Sequence, residues 1–308
     1  MAPTLTIQPR NFAAEDPGSW DVLIDTACAA DAAGVDRIIL SDHVVMGENL
    51  DAYGDPKRGG SAGGKQPTGP DGHWLEPLTT LSFLAGQTES VRLGTNILIA
   101  ALRRPVVLAK TASTLAVLSG GRLDLGVGVG WQEEEYVAAG LDFAGRGRQL
   151  DHTLEVCQAL WAAPRVSYAS DELTFDDIHM MPKPPGGSVP VWVSGTVNPR
   201  AMKRLARFGS GWIPWGPAVA DPLGGIAAMR EMVSGFDRDP TDIEVTAYLK
   251  TVADDDGVVD FTATMASAAP LVDAGVTDCK VTVPIPADRE AATEYLSEAV
   301  AAFRAATT

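Results

Sequence analysis

Eight times along this chain a short β-branched or apolar run is followed by a longer stretch with helical apolar spacing, and no other feature narrows the fold as far. The runs are Thr4–Pro9, Arg37–Leu40, Val91–Ala100, Arg122–Gly130, Val189–Ser194, Gly211–Trp215, Ile243–Lys250 and Asp278–Pro284. The first helix shows the pattern well. Trp20, Leu23, Ile24, Ala27 and Cys28 fall on one face, Ser19 is the expected N-cap and Gly34 the stop. Further helices are predicted over Trp74–Thr88, Arg104–Ser119, Gln132–Ala139, Gln149–Ala162, Pro199–Phe208, Gly225–Val233, Phe261–Asp273 and Arg289–Ala305. Strands that alternate with helices pair in parallel through right-handed crossovers. Eight of them predict an α/β fold, a closed (β/α)8 TIM barrel formed as one domain over residues 1–308. An open, doubly wound sheet is the structural alternative.

Two insertions break the rhythm. Residues 44–73, after the second strand, hold eight glycines and three prolines and read as a binding loop or lid. Residues 164–188, before the fifth strand, read as a small hairpin and a proline-rich turn.

Charge and cysteine usage narrow the function classes. Lys+Arg 24 against Asp+Glu 40 gives −16, a field that repels phosphate backbones and anionic lipid. Nucleic acid and membranes are therefore not expected partners. Cys28, Cys157 and Cys279 are far apart and form no C-x-x-C pair, which argues for a reducing compartment and against a cysteine metal site. No metal-binding constellation is visible. The opening residues do not read as a leader and no apolar run has transmembrane length, so the expected location is the cytoplasm.

In a barrel of this kind the chemistry gathers at the C-terminal ends of the strands. The second strand delivers Asp42 and His43, the third Thr95-Asn96-Ile97, the fourth Gly126-Val127-Gly128-Val129-Gly130-Trp131, and the fifth Ser194-Gly195-Thr196. Of four histidines, only His43 sits at a strand exit, where a side chain that gains and loses a proton near neutral pH is useful. His152 and His179 are expected to be structural. Alternate glycines at 126–130 either let a flat ligand approach or pack tightly at the rim. Ser194 to Pro199, with Arg200, Lys203 and Arg204 beyond, reads as an anion site at a helix start or as a plain cap with a solvated basic face.

Taken in order, several of these segments resemble the luciferase-like monooxygenase superfamily, in particular its deazaflavin (coenzyme F420) branch. They include Ser41-Asp42-His43-Val44, Trp74-Leu75-Glu76-Pro77, Arg104-Pro105-Val106-Val107 and Leu118-Ser119-Gly120-Gly121-Arg122-Leu123. Gly126 to Trp131, Arg146-Gly147-Arg148, Met181-Pro182-Lys183-Pro184 and Pro190-Val191-Trp192-Val193 continue the match, which covers about residues 4–216. The resemblance implies a barrel binding a flavin or deazaflavin at the strand ends, with a non-prolyl cis peptide at Asn96–Ile97 behind the ring. It implies that Asp42 contacts the cofactor, that His43 is the acid/base, and that Val129, Gly130 and Glu134 line the cofactor. Ser194, Gly195 and Thr196 would hold its side chain and phosphate. Many relatives carry Gly-Gly where Ser194-Gly195 stands.

An anionic cofactor on an acidic protein needs a local basic rim. Candidates are Arg103, Arg104, Arg146, Arg148, Lys183 and Arg200. The expected activity is hydride transfer between coenzyme F420 and a small organic substrate by a homodimer. The alternatives are a monooxygenase using reduced FMN from a separate reductase, and a non-catalytic flavin-binding protein. A cofactor-free lyase is more remote, since Lys250 is the one lysine near a strand end.

Overall fold

The computed structural model describes residues 2–308. Eight parallel strands form the barrel: β1 Thr4–Ile7, β2 Arg37–Leu40, β3 Arg92–Thr95, β4 Leu123–Val127, β5 Val191–Gly195, β6 Gly211–Pro214, β7 Glu244–Tyr248 and β8 Asp278–Val281. Each pairs with its sequence neighbour, and β1 pairs with both β2 (Thr6 to Arg37) and β8 (Thr4 to Asp278). That double pairing closes the sheet and rules out the open alternative. The helices cover the outside. Trp161, on the helix Arg146–Ala162, is fully buried, and its indole N–H donates to the Ala109 carbonyl at 3.0 Å, locking that helix to Pro105–Leu118.

Most boundaries fall where the sequence put them, and the exceptions have local causes. The second helix begins at Pro77, not Trp74, because the Glu76 carboxylate caps it by accepting the Thr79 N–H at 2.6 Å. Trp74 instead joins a two-residue antiparallel pair with Phe12, their rings stacked at 4.3 Å. Ser19 is not the N-cap of the first helix. Trp20 holds that position, and the Ser19 hydroxyl accepts the Asp21 N–H one residue outside it. Gly34 does end the helix, in the left-handed conformation at φ 80°. The third strand stops at Thr95, and the helix predicted over Phe261–Asp273 divides into Phe261–Ala266 and Ala268–Asp273. The hairpin is present as Arg165–Ala169 against Thr174–His179. His152 bonds the hairpin's Ser170 at 3.1 Å, which is the structural use expected of it.

An ionic plug fills the N-terminal half of the lumen. Arg37 Nε meets Asp124 at 2.9 Å and its Nη1 meets Asp278 at 3.1 Å. Arg92 grips both oxygens of Asp124, at 2.7 and 2.6 Å. The hydroxyls of Thr4, Thr6 and Thr246 donate to Asp278 at 2.8, 2.6 and 2.9 Å. The Arg37 guanidinium also lies 4.2 Å from the Trp192 ring centroid. In such barrels this end serves stability.

Glu244 lies beside the plug, and burial raises its carboxyl above the usual glutamate range. The charged form is therefore the disfavoured one. The stability this carboxyl contributes is complete below its unfolded pKa and is lost as pH rises through the raised folded value. Glu244→Gln should raise the melting temperature near neutral pH, with the gain vanishing by about pH 4. Thermal scans across pH check this, and a gain independent of pH contradicts it.

The three cysteines are free and buried. Burial raises all three thiols, Cys279 to about 12, so none is poised as a nucleophile.

Candidate active site

The strand exits deliver their side chains to one mouth, beginning with the bond between Asn96 and Ile97, which is cis. The glycines at the exit of β4 pack closely against the residues around it. A Cβ on Gly126 would lie 1.9 Å from the Thr95 carbonyl oxygen, and one on Gly128 would lie 3.0 Å from the Ile97 side chain. These glycines therefore admit the irregular end of β3, so the packing reading of the run holds at those two positions. Gly130, at φ +66°, turns the chain toward the next helix.

Asp42 is 4% exposed and its carboxylate is engaged inside the protein. Oδ2 accepts the Ile99 N–H at 2.8 Å and a guanidinium N–H of Arg103, and Oδ1 accepts a second one at 2.9 Å. Arg103 also reaches Glu76 at 2.8 Å. These bonds tie the exit of β2 to the segment that follows Asn96 and Ile97.

His43 is held from the opposite side. Its Nδ1 lies 3.2 Å from Oε2 of Glu135, and Oε1 of the same carboxylate accepts the Val44 N–H at 2.9 Å. Glu135 is 1% exposed. It projects from the short helix Glu133–Ala138 that follows β4. In the tautomer with the proton on Nδ1 that nitrogen donates to Glu135, and Nε2 makes no hydrogen bond among the described residues. Two aromatic rings pack on this imidazole and a third packs behind one of them. Trp74 and Trp131 meet the imidazole edge to face at 4.7 and 5.7 Å, and Tyr53 packs on Trp131 at 5.4 Å.

Sequence reasoning selected Glu134 and passed over Glu135. Both have a place here. Glu134 Oε2 is buried without a hydrogen-bond partner, an acceptor that a ligand N–H or O–H would satisfy. A Cβ on Gly47 would collide with the Glu134 side chain at 2.5 Å, so that glycine is needed for the loop to pass.

Residues 44–73 fold over the mouth through two 3-10 turns, Leu50–Gly54 and Pro56–Arg58, flanked by irregular segments. Gln132 clamps Gly47 through its side-chain amide, accepting the N–H at 3.1 Å and donating to the carbonyl at 3.3 Å. The Trp215 indole N–H, just past β6, donates to the Gly59 and Gly60 carbonyls, each at 3.1 Å. Arg58 pairs with Glu133 at 2.7 Å, and Trp74 donates to Thr68 at 3.0 Å.

On the far side, Ser194, Gly195 and Thr196 are half-buried. The helix start beyond them is already capped. Asn198 Oδ1 accepts the N–H groups of Arg200 and Ala201 at 3.1 and 3.0 Å, so those donors are not free for an anion. The proposed basic rim is also smaller than its candidates. Arg103 is committed to Asp42 and Glu76, and Lys183 to the Leu160 carbonyl. Arg204, on the helix after that loop, turns inward to Asp151. Arg104, Arg148 and Arg200 stay exposed, while Arg146 sits under Arg58 and over the Phe143 ring at 3.8 Å.

The luciferase-like monooxygenase family matches residues 4–259. The chain belongs to that family. An uncharacterised Mycobacterium tuberculosis protein is 33% identical over 139 residues, 45% of this chain and 49% of that one. An F420-dependent hydroxymycolic acid dehydrogenase of the same species is 28% identical over 244 residues, 77% of this chain and 60% of the relative. The F420-dependent glucose-6-phosphate dehydrogenase of Kineococcus radiotolerans is 28% identical over 240 residues, 76% of this chain and 64% of the relative. The matched segments thus span about half to two-thirds of these curated relatives. Among solved structures, an F420-dependent secondary alcohol dehydrogenase superposes with a TM-score of 0.75 at 17% identity, covering 99% of this chain and 100% of that one. An EDTA monooxygenase from Chelativorans superposes with a TM-score of 0.75 at 12% identity, covering 99% of this chain and 94% of that one. At those identities the superpositions speak for the family's barrel fold.

Proposed function

We propose that this protein is a deazaflavin-dependent oxidoreductase, moving a hydride between coenzyme F420 and a small organic substrate at the mouth of the barrel. The observation that carries the reading is the His43–Glu135 pair at the exit of β2, an acid/base group oriented by a buried carboxylate. Curated relatives named as F420-dependent dehydrogenases support the choice of cofactor.

The residues present fit a bound planar cofactor. Asn96 and Ile97 are half-buried at the mouth beside the β4 exit, and Glu134 offers a buried oxygen unpartnered among the described residues. Val129 and the Ser194–Thr196 loop complete the candidate contacts. When bound, the deazaflavin supplies the ring carbon that gives or takes the hydride. The chain's own residues supply the rest. Glu135 fixes His43 with the proton on Nδ1, so Nε2 is the atom that takes a proton from a substrate hydroxyl or returns one to a carbonyl. Asp42 holds Arg103 and the Ile99 N–H in place. The covering loop, latched by Trp215, keeps water from the transferring groups.

The test is anaerobic incubation of the protein and oxidised coenzyme F420 with a panel of alcohols. Loss of the deazaflavin's visible absorption, together with a carbonyl product, is expected. Product formation that requires dioxygen and reduced FMN would replace this reading with the monooxygenase one.

A further inference from the structure

Three cations are buried among the described residues: Arg37 at 5%, Arg204 at 6% and Lys280 at 5% exposure. Removing a cation from water is costly unless an anion compensates it. Arg37 faces Asp124 and Asp278, and Arg204 faces Asp151. Lys280 faces no carboxylate within ion-pairing distance among the described residues. Its Nζ donates to the Gln8 side-chain oxygen and lies 4.8 Å from the centroid of the Tyr248 ring. Both partners are neutral.

Side-chain alternation places this lysine. Asp278 and Thr246 face the lumen, so Lys280 and Tyr248, two residues further along β8 and β7, face it one layer nearer the mouth. Gln8 and Ser41 stand at the same level beyond β1 and β2. Gln8 Nε2 donates to Ser41 Oγ at 2.6 Å, which turns its oxygen toward the ammonium. Ser41 in turn donates to the Asn96 carbonyl at 3.4 Å, and Ser41 is two residues before His43. A chain of neutral groups thus links this positive charge to the exits of β2 and β3.

We propose that Lys280 is the substrate-anchoring cation, taking an oxyanion carried by the substrate, while the rings of Trp74, Trp131 and Tyr53 around His43 receive an apolar body. This rests on the proposed function and names its substrate class: a small organic anion. An ammonium with only one hydrogen-bond acceptor keeps donors for a carboxylate or phosphate oxygen.

The test needs no turnover. Tryptophan fluorescence of the cofactor-free protein is titrated with benzoate, with inorganic phosphate, and with benzamide as the uncharged counterpart of benzoate. At least one anion is expected to bind saturably and more tightly than benzamide. Lys280→Met should weaken that anion at least about tenfold, with benzamide and coenzyme F420 affinity unchanged and Lys280→Arg recovering most of the loss. If Lys280→Met does not fold, Lys280→Gln is held to the same expectation. Saturable binding of neither anion by the parent chain overturns the proposal, as does equal anion affinity with and without the lysine. A loss of F420 affinity in Lys280→Met would assign the cation to the cofactor and also overturn it. Failure of the parent chain to bind F420 at all, with lysine-dependent anion binding intact, would instead remove the deazaflavin reading.

Discussion

Replacing His43 by alanine lowers turnover by about 10²–10⁴-fold, the usual worth of a positioned proton-transfer group. Cofactor affinity should change little, because the imidazole is held by Glu135 and two tryptophan edges and not by the strand ends assigned to the ring. A second variant tests the orientation. Glu135→Gln keeps the size of the side chain but offers one acceptor oxygen where the carboxylate serves both His43 and the Val44 N–H. Turnover should fall and its pH profile should move, since the group that fixes the tautomer has lost its charge. Steady-state kinetics on any accepted substrate gives the answer. Unchanged turnover in His43→Ala removes the acid/base assignment.

The second large effect lies at the other end of the barrel. Asp124→Ala strips Arg37 of one carboxylate and Arg92 of the only one it touches among the described residues, leaving a guanidinium buried in the lumen with half its compensation. Breaking a buried pair in this way costs about 3–5 kcal/mol. Denaturant unfolding should show that loss, while cofactor binding per folded molecule stays the same because the plug is separated from the mouth by a layer of side chains. A loss below about 1 kcal/mol would mean that the plug is solvated or readily rearranged.

The barrel was legible because alternation is a long-range pattern repeated eight times, and one misplaced boundary does not disturb it. The Pro199–Phe208 helix has the bounds read from the sequence, set by Asn198, Pro199 and Gly209. Elsewhere local chemistry overrode the pattern. The apolar run Val91–Ala100 reads as one strand, yet regular pairing stops at Thr95, the chain bulges past the cis bond, rejoins the sheet at Leu98 opposite Val127 and enters a 3-10 turn at Ala100–Leu102. Composition carries no sign of that bend; the resemblance alone marked it.

The site was legible to the level of which strand ends matter. Asp42 and His43 stand together in sequence but face different partners, Arg103 and Glu135, each brought by a different crossover. Three consecutive glutamates, Glu133 to Glu135, look equivalent in sequence. Helical phase sends one to Arg58, leaves one unpartnered and buries one against His43. A weak signal was available, since Gln132 and Glu135 are three apart beside the buried Tyr136, the spacing of an inward-facing stripe. Lys280 was hidden because β8 reads as an ordinary strand. Lys250, the lysine that sequence reasoning weighed, lies two residues past the end of β7 and is exposed.

The most direct measurement is a fluorescence titration of the purified protein with coenzyme F420 and, separately, with FMN. Saturable deazaflavin binding in the micromolar range or tighter, with FMN much weaker, is the predicted result. FMN bound more tightly than coenzyme F420, or neither bound, would contradict a deazaflavin site at the mouth of this barrel.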